Sequence, residues 1–256
     1  MSKRAPELSI IIPAYNEERR LGRALARIES YFAAKPSGIG PGSVEVIVVD
    51  DGSTDGTARV GQDWARRMPS LRLVSRSANR GKGYSVREGI LEARGRVALF
   101  TDADLSAPIE ESEKLLAAIR AGNDGAIGSR AMNRSLIATH QSRLREIAGM
   151  IFNRFVRLLT GLPFEDTQCG FKAFVREPCR IIFEQQRIER FGFDPEILFL
   201  ARRHGLSVAE VPVRWSHDPA TKVHVVRDSL LMFADLIDIR WNWLVGRYPR
   251  RSRSTH

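Results

Sequence analysis

Short runs of apolar residues alternate with amphipathic stretches along the first 130 residues. The runs have the composition of strands buried on both faces, as in a parallel sheet, and they span residues 8–13, 44–49, 71–75, 96–101 and 125–129. Apolar residues recur at helical spacing in the stretches at residues 17–34, 55–67, 83–93 and 109–121. Single helices between strands predict right-handed crossovers. We therefore expect a Rossmann-like α/β fold, with a mostly parallel sheet and helices on both faces.

The second half of the chain is less regular. Helical patterns occur at residues 142–159, 177–185, 195–204 and 225–245, and one strand is predicted at residues 207–215. In the last helix one face carries Val226, Leu230, Phe233, Ile237, Trp241 and Leu244. No linker separates independent domains, so we expect one domain over residues 1–224, followed by an amphipathic helix and basic tail at residues 225–256.

Three polar segments follow predicted strands, at residues 13–17, 50–55 and 101–104. Ligands of doubly wound sheets bind beyond the carboxyl ends of the strands. Asp102 and Asp104 are two residues apart after a strand, so both carboxylates can point the same way. Mg²⁺ and Mn²⁺ prefer oxygen ligands and leave positions open for phosphate. An isolated pair of this kind is common and can simply cap the next helix, so alone it leaves metal binding open.

The segments around residues 50–57 and 79–83 contain further candidates. Asp51 is suited to accept hydrogen bonds from a ribose hydroxyl or a base N–H, and Asp55 is expected to cap the next helix. The loop Asn79–Gly83 has the composition of a phosphate-approach loop. It lacks the P-loop spacing, and no GxGxxG follows the first strand, so neither a P-loop nor a dinucleotide fold is indicated.

In order along the chain, these segments resemble the motifs of glycosyltransferase family 2, whose fold is called GT-A. The matching motifs are PAYNE at 13–17, DDGS at 50–53 and DAD at 102–104. A second series resembles the dolichyl-phosphate β-glucosyltransferases and, less closely, the dolichyl-phosphate mannose synthases. It comprises GSR at 128–130, DTQCGFK at 166–172, FDPE at 193–196 and EVPVRW at 210–215. The resemblance runs from about residue 8 to residue 247.

The resemblance implies a nucleotide-sugar half at residues 1–130 and an acceptor half at residues 131–224. It implies that the nucleotide sugar is bound by Pro13, Tyr15, Glu17, Val49, Asp51, Lys82, Asp102, Ala103 and Gln168. It implies a Mg²⁺ or Mn²⁺ ion held by Asp102 and Asp104. The residues implied in the transfer step are Asp104, Arg130, Asp166 and Lys222.

The implied reaction is an inverting, metal-dependent transfer of a hexose onto a polyprenyl or dolichyl phosphate, with glucose from UDP-glucose as the leading expectation. A lipid monophosphate is largely dianionic at pH 7, so its attack requires positioning more than a general base. The segment 105–108 reads LSAP, where the resemblance expects a GAT-like run. This departure leaves the sugar open, with GDP-mannose or another UDP-sugar as alternative donors. A soluble acceptor and a catalytically silent nucleotide-sugar sensor are separate alternatives.

The chain carries 40 basic and 30 acidic residues, a net charge of +10. Such a balance suits nucleic acid, an anionic membrane or phosphorylated ligands. No nucleic-acid-binding motif is present, and no basic face is interleaved with aromatic residues, so we expect no nucleic-acid partner. Two sources of charge remain, an anionic ligand pocket and the C-terminal segment. That segment holds Trp241, Trp243, Tyr248 and the arginines 247, 250, 251 and 253.

The C-terminal segment suggests a peripheral membrane surface as a partner, because tryptophan, tyrosine and arginine favour anionic interfaces. The alternative is that the helix packs on the protein and the tail is solvated. No run of about 18 apolar residues is present, and the first seven residues lack the apolar core of a signal peptide. We therefore expect a cytoplasmic protein associated with the cytoplasmic face of a membrane.

Overall fold

The computed structural model describes residues 5–34, 39–139, 143–217 and 225–249. The strands of this described part are β1 (Leu8–Ala14), β2 (Val44–Asp50), β3 (Leu71–Ser75), β4 (Val97–Phe100), β5 (Gly125–Ser129), β6 (Ile137–Thr139), β7 (Lys172–Val175), β8 (Val208–Pro212) and β9 (Trp215–Ser216). Its α-helices are α1 (Glu18–Ala33), α2 (Thr57–Arg67), α3 (Lys82–Glu92), α4 (Ser112–Arg120), α5 (Arg143–Thr160), α6 (Arg176–Gln185), α7 (Phe193–Arg203) and α8 (Val225–Leu244).

Seven strands form one sheet in the order β3-β2-β1-β4-β7-β5-β8, and β6 pairs with β9 in a small second sheet. All seven run parallel except β7, which is antiparallel to both β4 and β5. The prediction of a mostly parallel α/β sheet is therefore confirmed. β6 and β7 were not predicted from the sequence. β7 has four residues and leads directly into α6, so no turn residues mark its end.

Helices cover both faces of the sheet, as predicted. On one face α1, α2 and α4 share a hydrophobic core with one set of alternate strand residues, such as Ile10 and Val46. On the other face α3, α6 and α7 share a core with the strand residues between them, such as Ile11 and Ile47. All four side chains are fully buried. This burial on both faces explains why the strands are continuous apolar runs rather than alternating ones.

The C-terminal helix exposes the apolar face that the sequence predicted. Ile237 is 53% exposed and Trp241 57%, whereas Leu236 and Ile239 on the other side of α8 are fully buried. The hypothesis that Tyr248 faces a membrane is wrong, because Tyr248 is 2% exposed. The arginines 250, 251 and 253 lie outside the described residues. No helix within the described ranges is long and apolar enough to cross a membrane.

Candidate active site

The predicted site residues follow strands that are neighbours in the sheet. β1 lies between β2 and β4 and runs parallel to both, so the carboxyl ends of all three meet at one edge. Pro13 and Val49 are opposite each other in the register of β1 and β2. Both residues are buried. The segments beginning at Tyr15, Asp51 and Asp102 leave the sheet side by side.

Asp102 and Asp104 lie just beyond the end of β4, with Lys82 beside them. Lys82, the first residue of α3, places Nζ 2.6 Å from Oδ1 of Asp102. The backbone N–H of Ser106 donates to Oδ1 of Asp104 at 2.9 Å, and Leu105 adopts a left-handed φ of 50° within this turn. The side chains of Asp102 and Asp104 are 34% and 22% exposed. Both carboxylates are therefore accessible to a ligand.

The charges of this cluster favour an added cation. Burial, and next the charge of Asp102, raises the pKa of Asp104 above its usual range. Burial alone would lower the pKa of Lys82, but Asp102 and Asp194 outweigh it and raise that pKa. Lys82 therefore stays an ammonium, and ionised Asp104 still lacks full compensation. Two carboxylates with reachable oxygens fit Mg²⁺ or Mn²⁺, which prefer such ligands.

The protein supplies only part of a metal coordination shell here. Within the described ranges, no group of three or more His, Cys, Asp or Glu side chains is arranged to hold a metal ion. Asp102 and Asp104 would thus leave ligand positions to be filled by water and by the diphosphate of a substrate. The donor set fits a cation that is held jointly by protein and substrate.

A glycine from the second half of the chain lies directly against Asp102. A Cβ atom added to Gly170 would stand 2.3 Å from Oδ2 of Asp102. Gly170 precedes the antiparallel strand β7, which begins at the edge where β4 ends. Ala103, between the two carboxylates, is 6% exposed and packs in the core. The glycine thus permits the close approach of the DTQCGFK segment to the DAD segment.

Asp51 binds the loop that carries Lys82. Its carboxylate accepts hydrogen bonds from the backbone N–H groups of Arg80, at 2.9 Å, and Gly81, at 2.7 Å. The side chain of Asn79 donates to the same carboxylate at 3.0 Å, and the guanidinium of Arg76 forms an ion pair with it at 2.8 Å. Asp51 is 3% exposed. Asp51 therefore holds the loop that leads into α3.

The first motif is linked to the DAD segment through an arginine. Tyr15 is 40% exposed at the end of β1. Glu17 accepts hydrogen bonds of 2.6 Å and 3.0 Å from the guanidinium of Arg20. The same guanidinium lies 4.0 Å from Oδ2 of Asp104. Arg20, on α1, therefore places a second cation near the carboxylates.

Arg130 and Asp166 form an ion pair at the end of β5. Nε and NH2 of Arg130 donate to the two carboxylate oxygens at 2.6 Å and 2.8 Å, and the Arg130 backbone N–H donates at 3.0 Å. Burial alone would raise the pKa of Asp166, but Arg130 lowers it below its usual range. The Gln168 N–H donates to Asp166 at 3.1 Å. The buried Nε2 of Gln168 has no hydrogen-bond partner among the described residues, so it can serve a bound polar group.

Lys222 and Asp55 were also predicted to have roles. Lys222 lies outside the described residues. Asp55 stands one residue before Gly56, the N-cap position of α2. Its carboxylate accepts a hydrogen bond of 2.9 Å from the backbone N–H of Thr57, the first residue of α2, and one of 3.2 Å from that of Glu18. It thereby ties the beginning of α1 to that of α2.

Three residues of this edge were missed by sequence reasoning. Arg76 follows β3 directly, and the rule that sites follow strand ends could have found it. Lys172 is fully buried, donates to the carbonyl of Cys169 at 2.6 Å and forms an ion pair with Asp194. Arg20 sits on a helix, where no local signal distinguishes it from other arginines. A buried lysine inside a strand likewise has no local signal, because its partner is 22 residues away.

The fold and this edge together define a class of protein. A mostly parallel sheet, with paired carboxylates after a central strand and cations around them, is the architecture of the GT-A glycosyltransferases. The family model of glycosyl transferase family 2 matches residues 9–183, and the chain belongs to this family. It is therefore a glycosyltransferase.

Relatives with high coverage are dolichyl-phosphate β-glucosyltransferases. The protein from Dictyostelium discoideum is 37% identical over 253 residues, which covers 96% of this chain and 77% of the relative. The protein from Drosophila melanogaster is 39% identical over 251 residues, covering 94% and 77%. The protein from Saccharomyces cerevisiae is 34% identical over 258 residues, covering 94% and 76%. The resemblance stated from the motifs is confirmed.

Solved structures show the same fold at low identity. One is glucosyl-3-phosphoglycerate synthase from Mycobacterium tuberculosis in complex with Mn²⁺, UDP and glucosyl-3-phosphoglycerate. It has a TM-score of 0.64 and 19% identity, and the match covers 97% of this chain and 82% of that one. Another is a mannosyltransferase from Pyrobaculum calidifontis with GDP-Man and Mn²⁺. Its TM-score is 0.59, with 19% identity and coverage of 92% and 65%.

Proposed function

We propose that this glycosyltransferase transfers glucose from UDP-glucose to the phosphate of a dolichyl or other polyprenyl phosphate, with inversion at the anomeric carbon. The observation that carries the proposal is the placement of the Asp102–Asp104 pair and the Arg130–Asp166 pair at one edge of the sheet. The relatives named above are dolichyl-phosphate β-glucosyltransferases, which supports both the sugar and the acceptor.

The donor is assigned to the ends of β1, β2 and β4. Tyr15 and the loop held by Asp51 surround the space for base and ribose, and Lys82 lies where a diphosphate would meet Asp102. A Mg²⁺ or Mn²⁺ ion held by Asp102 and Asp104 would stabilise negative charge on the leaving diphosphate. Complexes of solved relatives with Mn²⁺ and UDP support this assignment.

The acceptor is assigned to the end of β5. Arg130 carries a fixed positive charge, and its pairing with Asp166 sets the orientation of the guanidinium. A dianionic lipid phosphate needs orientation and charge compensation here, and no proton has to be removed from it. One phosphate oxygen forms the new bond to the anomeric carbon as the bond to the donor diphosphate breaks. The nucleoside diphosphate leaves from the opposite face of the sugar.

The electrostatic roles follow from the positions of the cations. Lys82 keeps its proton because its pKa is raised, so it compensates charge throughout the reaction. Preorganised charges that face a developing negative charge supply a large share of catalysis in such sites. Gln168 offers the sugar or the acceptor an amide nitrogen that has no hydrogen-bond partner in the described part of the chain.

The test is a transfer assay with the purified full chain. UDP-[¹⁴C]glucose, dolichyl phosphate in detergent and MnCl₂ should yield a radiolabelled lipid that extracts into organic solvent. GDP-[¹⁴C]mannose, other UDP-sugars and 3-phosphoglycerate are tested in parallel as donors and acceptors. EDTA should stop the reaction, and added Mn²⁺ or Mg²⁺ should restore it.

The outcomes of the transfer assay distinguish the proposed donor and acceptor from the alternatives. Lipid labelling from UDP-glucose above all other donors supports the proposal. Labelling from GDP-mannose alone would show that the transferred sugar is mannose. Labelling of 3-phosphoglycerate alone would show that the acceptor is this soluble phosphate. Binding of UDP-glucose with no transfer to any acceptor would make the chain a nucleotide-sugar sensor. Full activity in EDTA would remove the metal from the proposal.

The lipid acceptor also implies an encounter with a membrane. We propose peripheral association with the cytoplasmic face of a membrane, because the acceptor phosphate lies at a bilayer surface while its donor is water-soluble. A surface that serves this encounter should carry both apolar and basic side chains.

A further inference from the structure

Two neighbouring helices expose apolar side chains along their outer sides. We define the α5–α8 apolar face as Met150, Ile151, Phe155 and Leu158 of α5 with Phe233, Ile237, Trp241 and Leu244 of α8. The most exposed are Leu158, at 76%, and Leu244, at 71%. The rings of Phe155 and Phe233 meet edge to face at 5.4 Å, which joins the two halves of the face. Single exposed apolar residues are ordinary, but a contiguous apolar surface marks an interaction site.

The apolar face borders a pocket lined by arginines. The pocket, of about 360 Å³, lies between the end of α5 at residues 158–161, the end of α7 and Arg240 near the end of α8. Its cationic lining is Arg202, Arg203 and Arg240. Leu158 of the apolar face also lines it, so the basic and apolar surfaces are continuous.

The arginines of the pocket are arranged for an external anion. Arg202 and Arg203 lie in the last turn of α7, where they also compensate the helix dipole. Arg240 precedes the last turn of α8 and has no such role. Neither Arg202 nor Arg240 forms an ion pair with a described carboxylate. The guanidinium of Arg203 stacks 4.6 Å from the ring centre of Trp243, which fixes its position.

The apolar face is attached to the acceptor side of the candidate site. Asn153, in the middle of α5, donates to the backbone carbonyl of Glu165 at 2.5 Å and accepts from the hydroxyl of Thr167 at 3.2 Å. These two residues flank Asp166, which holds Arg130. A bilayer in contact with α5 would therefore lie beside the segment that orients the acceptor arginine.

We propose that the α5–α8 apolar face inserts into the interfacial region of a bilayer, and that the pocket of Arg202, Arg203 and Arg240 binds the phosphate headgroup of an anionic phospholipid. The proposal deepens the proposed function and rests on it for the identity of the membrane-borne acceptor. Charge decides between a bilayer and a second copy of the chain. A second copy of this chain, which has a net charge of +10, would add positive charge around the pocket arginines, whereas an anionic bilayer neutralises them.

The test is flotation of the full chain with vesicles, in the absence of any nucleotide sugar. Wild type should float with vesicles of phosphatidylcholine and phosphatidylglycerol. The double variant Arg202→Gln/Arg240→Gln should bind these vesicles about 30-fold more weakly, since each basic residue near an anionic surface contributes about fivefold in affinity. Trp241→Ser/Leu244→Ser should weaken binding about tenfold or more, because large apolar groups no longer leave water.

A matched control removes two arginine charges from a different surface of the protein. Arg59→Gln/Arg66→Gln alters two exposed arginines of α2, on the opposite face of the sheet, and should bind like wild type. Point substitutions are preferred to removing residues 240–256, because that deletion would also remove buried Tyr248. Circular dichroism and thermal melting confirm that each variant is folded.

Two results would overturn the proposal. One is equal flotation of wild type, Arg202→Gln/Arg240→Gln and Trp241→Ser/Leu244→Ser. The other is a stable dimer in sedimentation that Trp241→Ser/Leu244→Ser converts to monomer, which would make the face an interface between copies. Because flotation needs no donor, failure here leaves the transferase proposal intact. Both Arg202→Gln/Arg240→Gln and Trp241→Ser/Leu244→Ser should keep transfer to polyprenyl phosphate in detergent. The detergent assay therefore tests the transferase proposal separately from membrane binding.

Discussion

The guanidinium of Arg130 is held by Asp166 through two hydrogen bonds to separate carboxylate oxygens. Because this pairing orients the cation, Asp166→Asn should lower kcat/KM for the lipid acceptor about 100-fold. The dissociation constant for UDP-glucose should change little. Transfer kinetics and isothermal titration calorimetry measure the two effects separately.

A second variant tests whether Arg130 acts on the acceptor or on the donor. Arg130→Ala should impair transfer more than donor binding, like Asp166→Asn. Equal losses of transfer and of UDP-glucose affinity would move Arg130 to the donor side of the site. A normal rate for Asp166→Asn would show that the pair holds the loop together without acting on the acceptor.

A bound cation would stabilise the ionised carboxylate of Asp104, because burial and the charge of Asp102 both disfavour its negative charge. Asp104→Ala should abolish turnover and remove the Mn²⁺-dependent part of UDP-glucose binding. In a thermal-shift assay wild type with Mn²⁺ at a hundredfold excess over its Kd should gain about 2.7 kcal/mol of stability. Asp63→Ala, an exposed carboxylate of α2, is the control and should keep the full shift. A full Mn²⁺ shift in Asp104→Ala would disprove the metal assignment.

Gly170 has no room for a side chain, because a Cβ there would stand 2.3 Å from the Asp102 carboxylate. Gly170→Ala should therefore displace Asp102 and weaken Mn²⁺-dependent binding about tenfold or more. Gly149→Ala is the matched control, since no described residue comes within 4 Å of a Cβ at that helical position. Binding titrations with Mn²⁺ and UDP-glucose compare the two variants. Equal affinities would mean that Asp102 does not contribute to the donor site.

Much of the fold was predictable because the central strands are buried on both faces. β2, buried throughout, spans residues 44–50 where 44–49 were predicted, and β5, also buried throughout, spans the predicted residues 125–129. β7 was not predictable, because its place between β4 and β5 depends on long-range pairing and its four residues lead directly into α6. That strand brings the DTQCGFK segment to the edge of the site.

The residues of the site were easiest to predict where a local sequence pattern marks them. Asp102 and Asp104 were found because they come directly after a strand. Arg76 was missed, although it also follows a strand, because arginine is common throughout this basic chain. Tyr248 was misassigned because it stands among arginines and near tryptophans. Its burial depends on Glu196, which lies 52 residues earlier in the chain.

Tyr248 donates a hydrogen bond of 2.6 Å to buried Glu196. Glu196 also accepts from the backbone N–H groups of Arg187 and Ile188, each at 2.9 Å. Tyr248→Phe removes one of three donors to a buried carboxylate and should lower the free energy of unfolding by about 2 kcal/mol. Urea denaturation measures this difference. Tyr84→Phe is the control: it keeps the ring that stacks on Arg76 and Arg80 and should leave stability unchanged.

Asp235 of α8 should make stability depend on pH between about pH 4 and pH 6. Burial, and next the charge of Asp238, raises the pKa of Asp235 to about 6. Folded protein therefore binds the Asp235 proton more tightly than the unfolded chain does. This contribution to stability is present below the unfolded pKa and is lost as pH rises through about 6. Asp235→Asn keeps an oxygen that can accept from the Gly192 N–H, and it should raise stability at pH 7 by about 1 kcal/mol. Thermal melts of both proteins from pH 4 to pH 8 should converge at the acid end, and parallel curves would show that Asp235 does not cause the pH dependence.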